Sequence, residues 1–571
     1  MVMQDSADFI SFFYKLVSEA VRGLLAGWGI EKLADMYTLE PASRRGHGDL
    51  ATSMALVASG MINHPPRQLA EELVAAMQAN QGLKELTRFE VAGPGFINFF
   101  LKEDALVGAV GSALALGTHF GSGDPDHPEK ILLEFVSANP TGQLHVGHAR
   151  YAAYGDSLKR VLAFLGHDVT TEFYINDYGA QMEIFGRSLA ARYAQTLGLE
   201  AELPVDGYRG DYPRRVAARI AGEIGDRLRD EVTPAPSAAA IDFFRERGCE
   251  IVLAEMKAEL DGFRVDFDSW FSEASLYAVG AAQKIVDKLK GPGETETREG
   301  ALWLKTTRYG DDKDRVLIRK HGEPTYFASD IAYHFDKATR PQHFNRLINI
   351  WGADHHGYVA RMKAAMQALE PLVPENERPQ LEIIIGQLVN VIERGERRQM
   401  SKRKGTMVTL KELLTGIGVD AARFFLVDRS HDSAMDLDME KAKLKSEENP
   451  VYYVQYAHAR ICSIVRKAEA DGFRMINYDG YSGLSNQERQ LIMDVLFFPQ
   501  VVDGAGRMRE PHRLTAYGRA LAASFHVFYH NCPVLGAEPQ AASFRLDLCR
   551  LVRSTIATSL ELIGVSAPQS M

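Results

Sequence analysis

The hydrophobic positions of the first 120 residues predict a small α/β unit. Apolar residues recur at helical spacing over 8–25, and a second amphipathic stretch follows Pro65-Pro66, a pair typical of a helix start. Over 89–101, two apolar runs flank a Gly-Pro-Gly turn, which predicts two short strands. The polar, turn-rich stretch 121–130 then indicates a domain boundary.

A pattern of alternating strands and helices begins directly after this boundary. Residues 131–136 are almost continuously apolar, as in a strand buried in a parallel sheet, and an amphipathic helix ending near Gly166 follows. Further strands are predicted at 169–175, 347–351 and 381–389. This rhythm is typical of a doubly wound α/β sheet, where ligands bind beyond the carboxyl ends of the strands.

The rhythm is interrupted once and then ends. Charged helical sequence near 192–300 predicts an insertion in the sheet domain. From Asn449 onward the pattern is helical, with Pro450 in the first helical position. We therefore expect an N-terminal α/β domain (1–120), a sheet domain with the insertion (121–440) and an all-α domain (441–571).

Composition excludes several classes of protein. Of the 571 residues, 46% are hydrophobic and 25% charged, which excludes disordered and low-complexity chains. The net charge of −10 provides no strong positive field for nucleic acid. Residues 441–571, however, carry 15 Lys and Arg against 12 Asp and Glu, so the basic balance is confined to the predicted helical domain.

The cysteines and the apolar runs bear on location. The four cysteines form no C-x-x-C pair and no metal-like cluster with histidine, which predicts neither disulfides nor structural zinc. No apolar run reaches the ~18 residues that span a bilayer, and the chain starts with acidic residues where a secretory signal carries Lys or Arg. We expect a cytoplasmic protein without a membrane contact.

The sharpest local motif is S-A-N-P-T-G-Q-L-H-V-G-H at 137–148, between a predicted strand and a predicted helix. A helix N-terminus presents unpaired N–H groups and a positive dipole end, so this loop can receive a phosphate. His145 and His148 share one face and can donate to a phosphate that gains charge, and Gly147 permits close backbone approach. The alternative is that both imidazoles only cap and pack against the helix.

A second motif, R-R-Q-M-S-K-R-K-G-T, occupies 397–406. Its five basic residues stand beside small residues, which suits a loop that neutralises the charge of a polyphosphate. Taken alone, a solvated surface loop is the simpler interpretation.

Together the two motifs resemble the paired signatures of class I aminoacyl-tRNA synthetases. The form A-N-P-T-G-Q-L-H-V-G-H-A-R at 138–150 is similar to that of bacterial arginyl-tRNA synthetases, and the likeness continues through G-A-D-H-H-G-Y at 352–358 and N-P-V-Y-Y-V-Q-Y-A-H-A-R at 449–460. It covers essentially the whole chain. The resemblance implies a Rossmann-like parallel-sheet catalytic domain, an N-terminal α/β add-on domain and a C-terminal all-α anticodon-binding domain.

The resemblance also implies an ATP-dependent ligation. The carboxylate of L-arginine would attack the α-phosphate of ATP, releasing pyrophosphate, and the arginyl group would then pass to the 3′-terminal ribose of tRNA(Arg). His145 and His148 would stabilise the transition state, Lys402 would hold pyrophosphate, and Mg²⁺ would arrive with ATP. The implied ATP-binding residues are Asn139, Pro140, Thr141, Gly142, His145, Gly147, His148, Gly352, Asp354, His355, Met400, Ser401, Lys402 and Lys404.

The second motif departs from the K-M-S-K-S pattern of the class. Gln399 replaces the first lysine and Arg403 the last serine, while Arg398, Arg403 and Lys404 keep the positive charge nearby. Lys402 is therefore the expected main pyrophosphate ligand, and these three basic residues are equivalent candidates for the role of the missing lysine.

Carboxylates near the strand ends are expected to bind the substrate guanidinium, because they match its planar fork. Glu134 interrupts an apolar strand and needs a cationic partner, either the substrate or one of the protein's own arginines. Asp330, the first choice for the guanidinium, follows Tyr326 by four residues, on the same face if the segment is helical. The arginine-binding residues implied by the resemblance are Glu134, Ser137, Asn139, Tyr326, Asp330 and Asp354.

The segment G-A-D-H-H-G at 352–357 follows a predicted strand. Gly352 allows close approach of the adenosine, and Asp354 and His355 can hydrogen-bond to ribose or substrate. The Asp-His-His cluster alternatively suggests a metal, but a third ligand at recognisable spacing is missing. We expect no metal held by the protein alone.

Contacts with transfer RNA are expected at both ends of the chain. Tyr452, Tyr456 and Arg460 lie on the first helix of the C-terminal domain, where aromatic and guanidinium planes can stack on unpaired anticodon bases. The alternative is that the tyrosines are core residues. Arg44 and Arg45, in a glycine-bearing loop, are candidates for contact with the corner of transfer RNA, and a monomer is expected.

Two other functions remain open on the sequence. A small-molecule nucleotidylyltransferase could share the first motif and the sheet, but would need neither the second loop nor a helical C-terminal domain. A catalytically inactive RNA-binding paralogue is disfavoured because both histidines, Lys402 and the carboxylates are present.

Replacing Asp330 by alanine is expected to raise the KM for arginine far more than the KM for ATP, because this carboxylate would contact only the amino acid. Steady-state kinetics of arginylation measures both constants. Comparable increases in the two would contradict the assignment of Asp330.

Overall fold

The computed structural model describes residues 8–42, 47–398 and 407–571. The chain forms two compact units. One unit runs to Gly123 and takes in Lys445–Leu562 and Ser566–Met571, and the other comprises Asp124–Leu444 with Ile563–Val565. The N-terminal and C-terminal regions of the chain therefore share one unit, and the central region forms the other.

The N-terminal part of the first unit contains an antiparallel sheet with helices around it. Its elements are α1 Phe9–Gly27, β1 Glu40–Pro41, β2 Leu50–Thr52, α2 Met54–Ile62, α3 Pro66–Ala79, α4 Gln81–Leu86, β3 Thr87–Ala92, β4 Phe96–Leu101 and α5 Glu103–Leu116. The sheet order is β1-β2-β4-β3. Helix α1 begins where Asp8 accepts the backbone N–H of Ser11 at 3.0 Å, and it buries the apolar stripe that its periodicity predicted.

The second unit contains the strands and helices of the central region. Its elements are β5 Lys130–Glu134, α6 Val146–Phe164, β6 Asp168–Ile175, α7 Ala180–Thr196, α8 Asp211–Ile224, α9 Ala238–Gly262, β7 Ser269–Ser272, α10 Glu273–Ala278, α11 Ala281–Lys290, β8 Thr295–Arg298, β9 Ala301–Leu304, β10 Arg315–Ile318, α12 Tyr326–Ala338, β11 Arg346–Gly352, α13 Val359–Leu369, β12 Gln380–Gly386, β13 Val389–Glu393, β14 Glu396–Arg397, α14 Leu410–Val427, β15 Met435–Asp438 and α15 Met439–Lys443.

A five-stranded parallel sheet in the order β12-β11-β5-β6-β7 forms the centre of this unit. Two of its features differ from the sequence prediction. The stretch near 192–300, expected to be an insertion, contributes the edge strand β7, which at four residues is too short to stand out by periodicity. The apolar run 381–389 is divided between β12 and β13, which belong to different sheets.

Gly386, the last residue of β12, lies directly against helix α6. A Cβ atom on this residue would overlap the ring of Tyr151, whose hydroxyl donates to the Gly386 carbonyl at 3.0 Å. The close approach of α6 to the end of β12 therefore requires glycine. Residues after Gly386 then pair in the three-stranded sheet β14-β13-β15.

Helix α6 is held in place by a buried ion pair. The guanidinium of Arg423 on α14 bonds the carboxylate of Asp156, and both side chains are almost fully buried. Arg423 also donates to the carbonyls of Ile563 at 2.8 Å and Phe263 at 3.0 Å. Burial without these partners would cost several kcal/mol for each charge, so the pair dictates where α14 crosses α6.

The C-terminal part of the first unit is all-α. Its helices are α16 Pro450–Ala470, α17 Asn486–Leu496, α18 Phe498–Arg507, α19 His512–Asn531 and α20 Pro539–Leu562. Arg489 on α17 donates to Asp49 at 2.7 Å and to the Leu101 carbonyl at 2.7 Å, which joins this part to the N-terminal sheet. Within the described ranges, no helix is both long enough and apolar enough to cross a membrane.

Replacing Arg423 by methionine is expected to lower the free energy of unfolding by about 3 kcal/mol or more, because Asp156 and the carbonyls would lose their buried partner. Urea unfolding followed by circular dichroism measures the change. Arg187→Met, which removes an exposed ion pair with Glu183, serves as the control and is expected to cost less than about 1 kcal/mol. Equal losses in the two variants would contradict the role given to Arg423.

Candidate active site

A cavity of about 1320 Å³ lies at the carboxyl edge of the parallel sheet. The first signature, helix α12, the turn after β11 and the connection between β12 and β13 all contribute to its wall. The sequence-predicted residues that line it are Glu134, Ser137, Asn139, His145, Gly147, His148, Tyr326, Asp330, Gly352, Asp354 and His355. Pro140, Thr141 and Gly142, predicted in the same loop, are not among its lining residues.

The two histidines of the first signature form a capping box at the start of α6. His145 accepts the N–H of Gly147 on Nδ1 at 3.1 Å, and Nδ1 of His148 accepts the N–H of His145 at 3.2 Å. Their rings stack with centroids 3.8 Å apart. A neutral imidazole that accepts on Nδ1 carries its proton on Nε2, so each ring is both a cap and an Nε2–H donor. Capping and phosphate binding, set out as alternatives on the sequence, are therefore compatible.

The second signature falls mostly on residues that are not described. Met400, Ser401, Lys402 and Lys404 lie outside the described residues, as do Gln399 and Arg403. On one side of this segment, Arg398 donates its N–H to the Val391 carbonyl at 2.9 Å, and Arg397 and Arg398 line the cavity.

On the other side of this segment, the chain pairs with the first signature. Val146 donates its N–H to the Val408 carbonyl at 2.9 Å, and Leu410 donates to the Leu144 carbonyl at 2.8 Å. The described residues that flank the second signature thus reach the cavity from both directions.

A buried row of polar side chains crosses the sheet beneath the cavity. Glu134 on β5 is paired in register with Glu172 on β6 and with Asn349 on β11. All three side chains are buried, and like charges on paired strand positions repel. The row therefore needs positive charge from outside the sheet.

Helix α12 and the turn after it supply that charge. Lys337, 1% exposed, bonds Oε2 of Glu134 and donates to Oδ1 of Asn349 at 3.1 Å. Arg340 donates to Oε2 of Glu172 at 2.6 Å. Burial alone would raise the pKa of Glu172, but its hydrogen bonds with Arg340 and the charge of Lys337 hold this pKa below its ordinary value.

The cationic partner of Glu134 within the protein is thus Lys337. The sequence alone predicts either the substrate or one of the protein's own arginines as this partner. The hydroxyl of Tyr333 lies 3.0 Å from Oε2 of Glu134 and 2.7 Å from Oε1 of Glu172. On the other oxygen, Oε1, Glu134 accepts the hydroxyl of Ser137 at 3.3 Å. Glu134 lines the cavity, so its carboxylate faces both this network and any bound ligand.

Asp330 lies one turn before Tyr333 and also lines the cavity. Its Oδ2 accepts the hydroxyl of Tyr358. Burial raises the pKa of Asp330 to about 6, against the opposing effect of the Tyr358 hydrogen bond. Tyr326, four residues earlier on the same helix, is 67% exposed and lines the cavity as well.

His334 lies between the network around Glu134 and the backbone of Asp330. Its Nε2 accepts Nδ2 of Asn349 at 2.8 Å, because Oδ1 of that amide is engaged by Lys337. The ring proton is therefore on Nδ1, which donates to the Asp330 carbonyl at 2.8 Å. Burial, with a further effect from Lys337, lowers the pKa of His334 to about 3. A neutral histidine of fixed tautomer thus links Lys337 to the backbone of Asp330.

The turn after β11 presents Gly352, Asp354 and His355 to the cavity. A Cβ atom on Gly352 would lie 2.6 Å from Oδ1 of Asp354, an exposed side chain that would have to move to make room for it. Asp354 and His355 are exposed, and Nε2 of His355 lies 3.6 Å from Oδ2 of Asp354. In the part of the chain that the structure describes, no group of three or more His, Cys, Asp or Glu side chains could hold a metal ion.

The predicted RNA-binding aromatic residues lie together in the first unit. Tyr452 and Tyr456 stack with ring centroids 6.3 Å apart, and His526 of α19 stacks on Tyr456 at 5.9 Å. Arg460 lies over Tyr456 and over Tyr529, 4.9 Å from the latter centroid. Neither Tyr452 nor Tyr456 is fully buried. Arg44 and Arg45 lie outside the described residues.

Three models of protein families match the chain. The model of the class I tRNA synthetase (R) catalytic domain matches residues 110–461, that of the arginyl tRNA synthetase N-terminal domain matches 13–101, and that of the DALR anticodon binding domain matches 454–571. The chain is 43% identical to arginine–tRNA ligase 1 of Halalkalibacterium halodurans over 551 residues, 96% of either chain. It is also 43% identical to arginine–tRNA ligase of Bacillus subtilis over 550 residues, 96% of this chain and 97% of the relative.

The chain belongs to the arginyl-tRNA synthetase family.

Solved structures agree with this membership. A putative arginyl-tRNA synthetase from Campylobacter jejuni matches with a TM-score of 0.73 and 33% identity, covering 82% of this chain and all of that one. Arginyl-tRNA synthetase from Thermus thermophilus, at 24% identity, shares the fold with a TM-score of 0.76 over 98% of this chain and all of that one. The resemblance stated from the signatures is therefore confirmed at the level of the family.

Several residues that shape this synthetase site were not identified from the sequence. Tyr333, Lys337, His334 and Asn349 form the network under the two carboxylates, and Tyr358 bonds one of them. One signal was available: Tyr333, His334 and Lys337 follow Asp330 at intervals of three, four and seven residues, the spacing of one helix face. Polar residues on such a face indicate a buried network only once a charged sheet is known to lie beneath it.

His334 is expected to remain neutral from pH 8 down to about pH 4, with its proton on Nδ1, because its pKa is lowered to about 3. Nitrogen NMR of histidine-labelled protein, with His334→Gln to assign the signal, measures the tautomer and the charge. Since the unfolded chain binds this proton near pH 6.5, the contribution of His334 to stability falls as the pH is lowered from about 6.5 towards 3. A ring that becomes charged near pH 6 would contradict the network.

Proposed function

We propose that the protein is an arginine–tRNA ligase, which activates L-arginine with ATP and transfers the arginyl group to tRNA(Arg). One observation carries the proposal. One cavity is lined both by His145 and His148, which carry Nε2–H donors at the N-terminus of α6, and by the carboxylates of Asp330 and Glu134. The 43% identity to arginine–tRNA ligases over 96% of the chain supports the same activity.

The substrate guanidinium binds at the carboxylates. Asp330 accepts its N–H groups first, with Glu134 beside it and Tyr326 covering the exposed side of the pocket. Ser137, Asn139 and Asp354 contact the remainder of the amino acid. Binding of a cation favours the ionised form of Asp330, whose pKa is raised to about 6 by burial, so the substrate supplies the charge that this carboxylate lacks.

The first step is an in-line displacement at phosphorus. An oxygen of the arginine carboxylate forms a bond to the α-phosphorus, and the bond from that phosphorus to pyrophosphate breaks. His145 and His148 donate from Nε2 to the α-phosphate as its charge grows, together with the N-terminal end of α6. The contacts accelerate the step only as far as they tighten in the transition state.

The leaving pyrophosphate is bound by the second signature. Lys402 is its main ligand, and Met400, Ser401 and Lys404 complete the loop. Because Gln399 takes the place of the first lysine, a neighbouring cation such as Arg398, which lines the cavity, supplies the missing charge.

The adenosine of ATP binds at the turn after β11, against Gly352, Asp354 and His355. Asn139, Gly147 and the loop residues Pro140, Thr141 and Gly142 complete the nucleotide site. Mg²⁺ that arrives with ATP would be bound mainly by the phosphates and water, and the exposed carboxylate of Asp354 is the group of this turn that could contact it. The ion neutralises phosphate charge when it is bound.

In the second step a ribose hydroxyl at the 3′ end of the transfer RNA attacks the arginyl carbonyl and AMP leaves.

The other domains recognise transfer RNA. Residues 441–571 bind the anticodon region through Tyr452, Tyr456 and Arg460, and residues 1–120 contact the corner of the transfer RNA through Arg44 and Arg45. The catalytic domain occupies 121–440, and the enzyme acts as a cytoplasmic monomer.

Arginine-dependent exchange of pyrophosphate into ATP, measured with and without tRNA(Arg), tests the proposal together with formation of arginyl-tRNA. We expect charging of tRNA with arginine and not with lysine. Exchange that responds to another small molecule and never to arginine would indicate a nucleotidylyltransferase. Tight binding of tRNA without exchange under either condition would indicate an inactive paralogue.

A further inference from the structure

Tyr358 contacts Asp330 directly, although neither the signatures nor the reaction assign it a role. Its hydroxyl donates to Oδ2 of the carboxylate. The ring is enclosed on three sides, by Phe327 at 6.0 Å, by Trp351 at 6.1 Å and by the Arg361 guanidinium, whose central carbon lies 4.7 Å from the ring centroid. A hydroxyl on a ring packed in this way holds its acceptor in one orientation.

Because of this contact, one carboxylate oxygen of Asp330 is bound by the protein and the other is left for a ligand in the cavity. Oδ2 is engaged by Tyr358, whereas Oδ1 accepts no hydrogen bond from the residues that the structure describes. Glu134 is divided in a similar way, since its Oε2 is engaged by Lys337 and Tyr333. Oδ1 of Asp330 is therefore available to a ligand, and Oε1 of Glu134, which accepts the Ser137 hydroxyl at 3.3 Å, has a second lone pair that a ligand can use. Two single oxygens on separate elements suit a planar guanidinium, whose N–H groups diverge, better than a compact ammonium.

We propose that Tyr358 is the positioning residue of the arginine pocket, which orients Asp330 so that Oδ1 faces the guanidinium. This inference rests on the proposed function, because it concerns how the ligase holds its amino-acid substrate. Tyr358 itself touches the carboxylate and acts on the substrate only through it.

The role of Tyr358 can be measured through the pKa of Asp330, which depends on the charged and polar groups around it. Burial raises its pKa, the Tyr358 hydrogen bond lowers it, Glu134 raises it and Arg361 lowers it. The other facing groups are Glu273 and Tyr174, whose own pKa values are raised in part by Asp330, and the neutral ring of His334.

Removal of the hydroxyl is therefore expected to raise the pKa of Asp330 further. An acid with a higher pKa takes up its proton at a higher pH, so arginine loses its counterion earlier as the pH falls.

The test compares Tyr358→Phe with wild type in arginylation kinetics between pH 5.5 and 8. We expect the KM for arginine to rise about tenfold at pH 7.5 and its acid-side increase to begin about one pH unit higher. The KM for ATP and its pH profile are expected to change little, because the hydroxyl contacts only Asp330 among the pocket carboxylates.

Tyr193→Phe is the matched control, since it removes a buried tyrosine hydroxyl that donates to the Gly225 carbonyl at 2.8 Å and does not line the cavity. It should leave the arginine pH profile unchanged even if stability falls to the same extent. In an Asp330→Asn background, Tyr358→Phe should produce no further shift of the pH profile, because the titrating group is gone.

The possible results distinguish a failure of the proposed function from a failure of the role given to Tyr358. If the wild-type chain does not charge tRNA with arginine, the proposed function fails and this role fails with it. If wild type is active and Tyr358→Phe behaves like Tyr193→Phe, the positioning role alone is overturned. A shift of both KM values in parallel would likewise overturn it, because it would indicate a general disturbance of the site.

Discussion

Two glutamates on adjacent strands, buried side by side in a parallel sheet, are the constraint on which the centre of this molecule depends. Glu134 and Glu172 occupy paired positions of β5 and β6, where two ionised carboxylates repel and both lack water. The sheet cannot supply a counterion from its own strands. A separate element must bring positive charge to this row, and its position is then dictated by where that charge is needed.

Helix α12 satisfies this requirement and lines the cavity at the same time. One face of it and the turn that follows carry Tyr333, Lys337 and Arg340 onto the glutamates. One turn earlier the same face presents Asp330 to the cavity. Because the cations fix the helix over the sheet, they also fix the distance of Asp330 from Glu134. The counterions of the core and the acids of the pocket are thus parts of a single electrostatic arrangement.

The side of the cavity that is proposed to bind phosphate depends on a different interaction, backbone pairing between distant segments. Residues 408–410 hydrogen-bond to Leu144 and Val146 on either side of His145, which places the described residues that follow the second signature beside the first. The histidines of the first signature serve as helix caps through Nδ1 and keep Nε2–H as a donor. A residue can therefore stabilise its own helix and still act on a phosphate, provided that the two tasks use different nitrogens.

The sequence by itself determined the class of fold, the strands β5, β6 and β11 and the family, and it predicted as site residues His145, His148 and Asp330, which line one cavity in the structure. These inferences depend on the local pattern of residues and on their spacing, both of which can be read directly from a sequence. It did not reveal β7, four residues long, or the division of 381–389 into two strands that pair in different sheets.

Only the tertiary structure decided which cation meets Glu134, which hydroxyl meets Asp330 and which tautomer His334 adopts. Lys337 and Tyr358 read as ordinary helix and turn residues in the sequence. Their roles arise from contacts between segments that lie far apart in the chain, and such contacts depend on distances in space that no local pattern encodes.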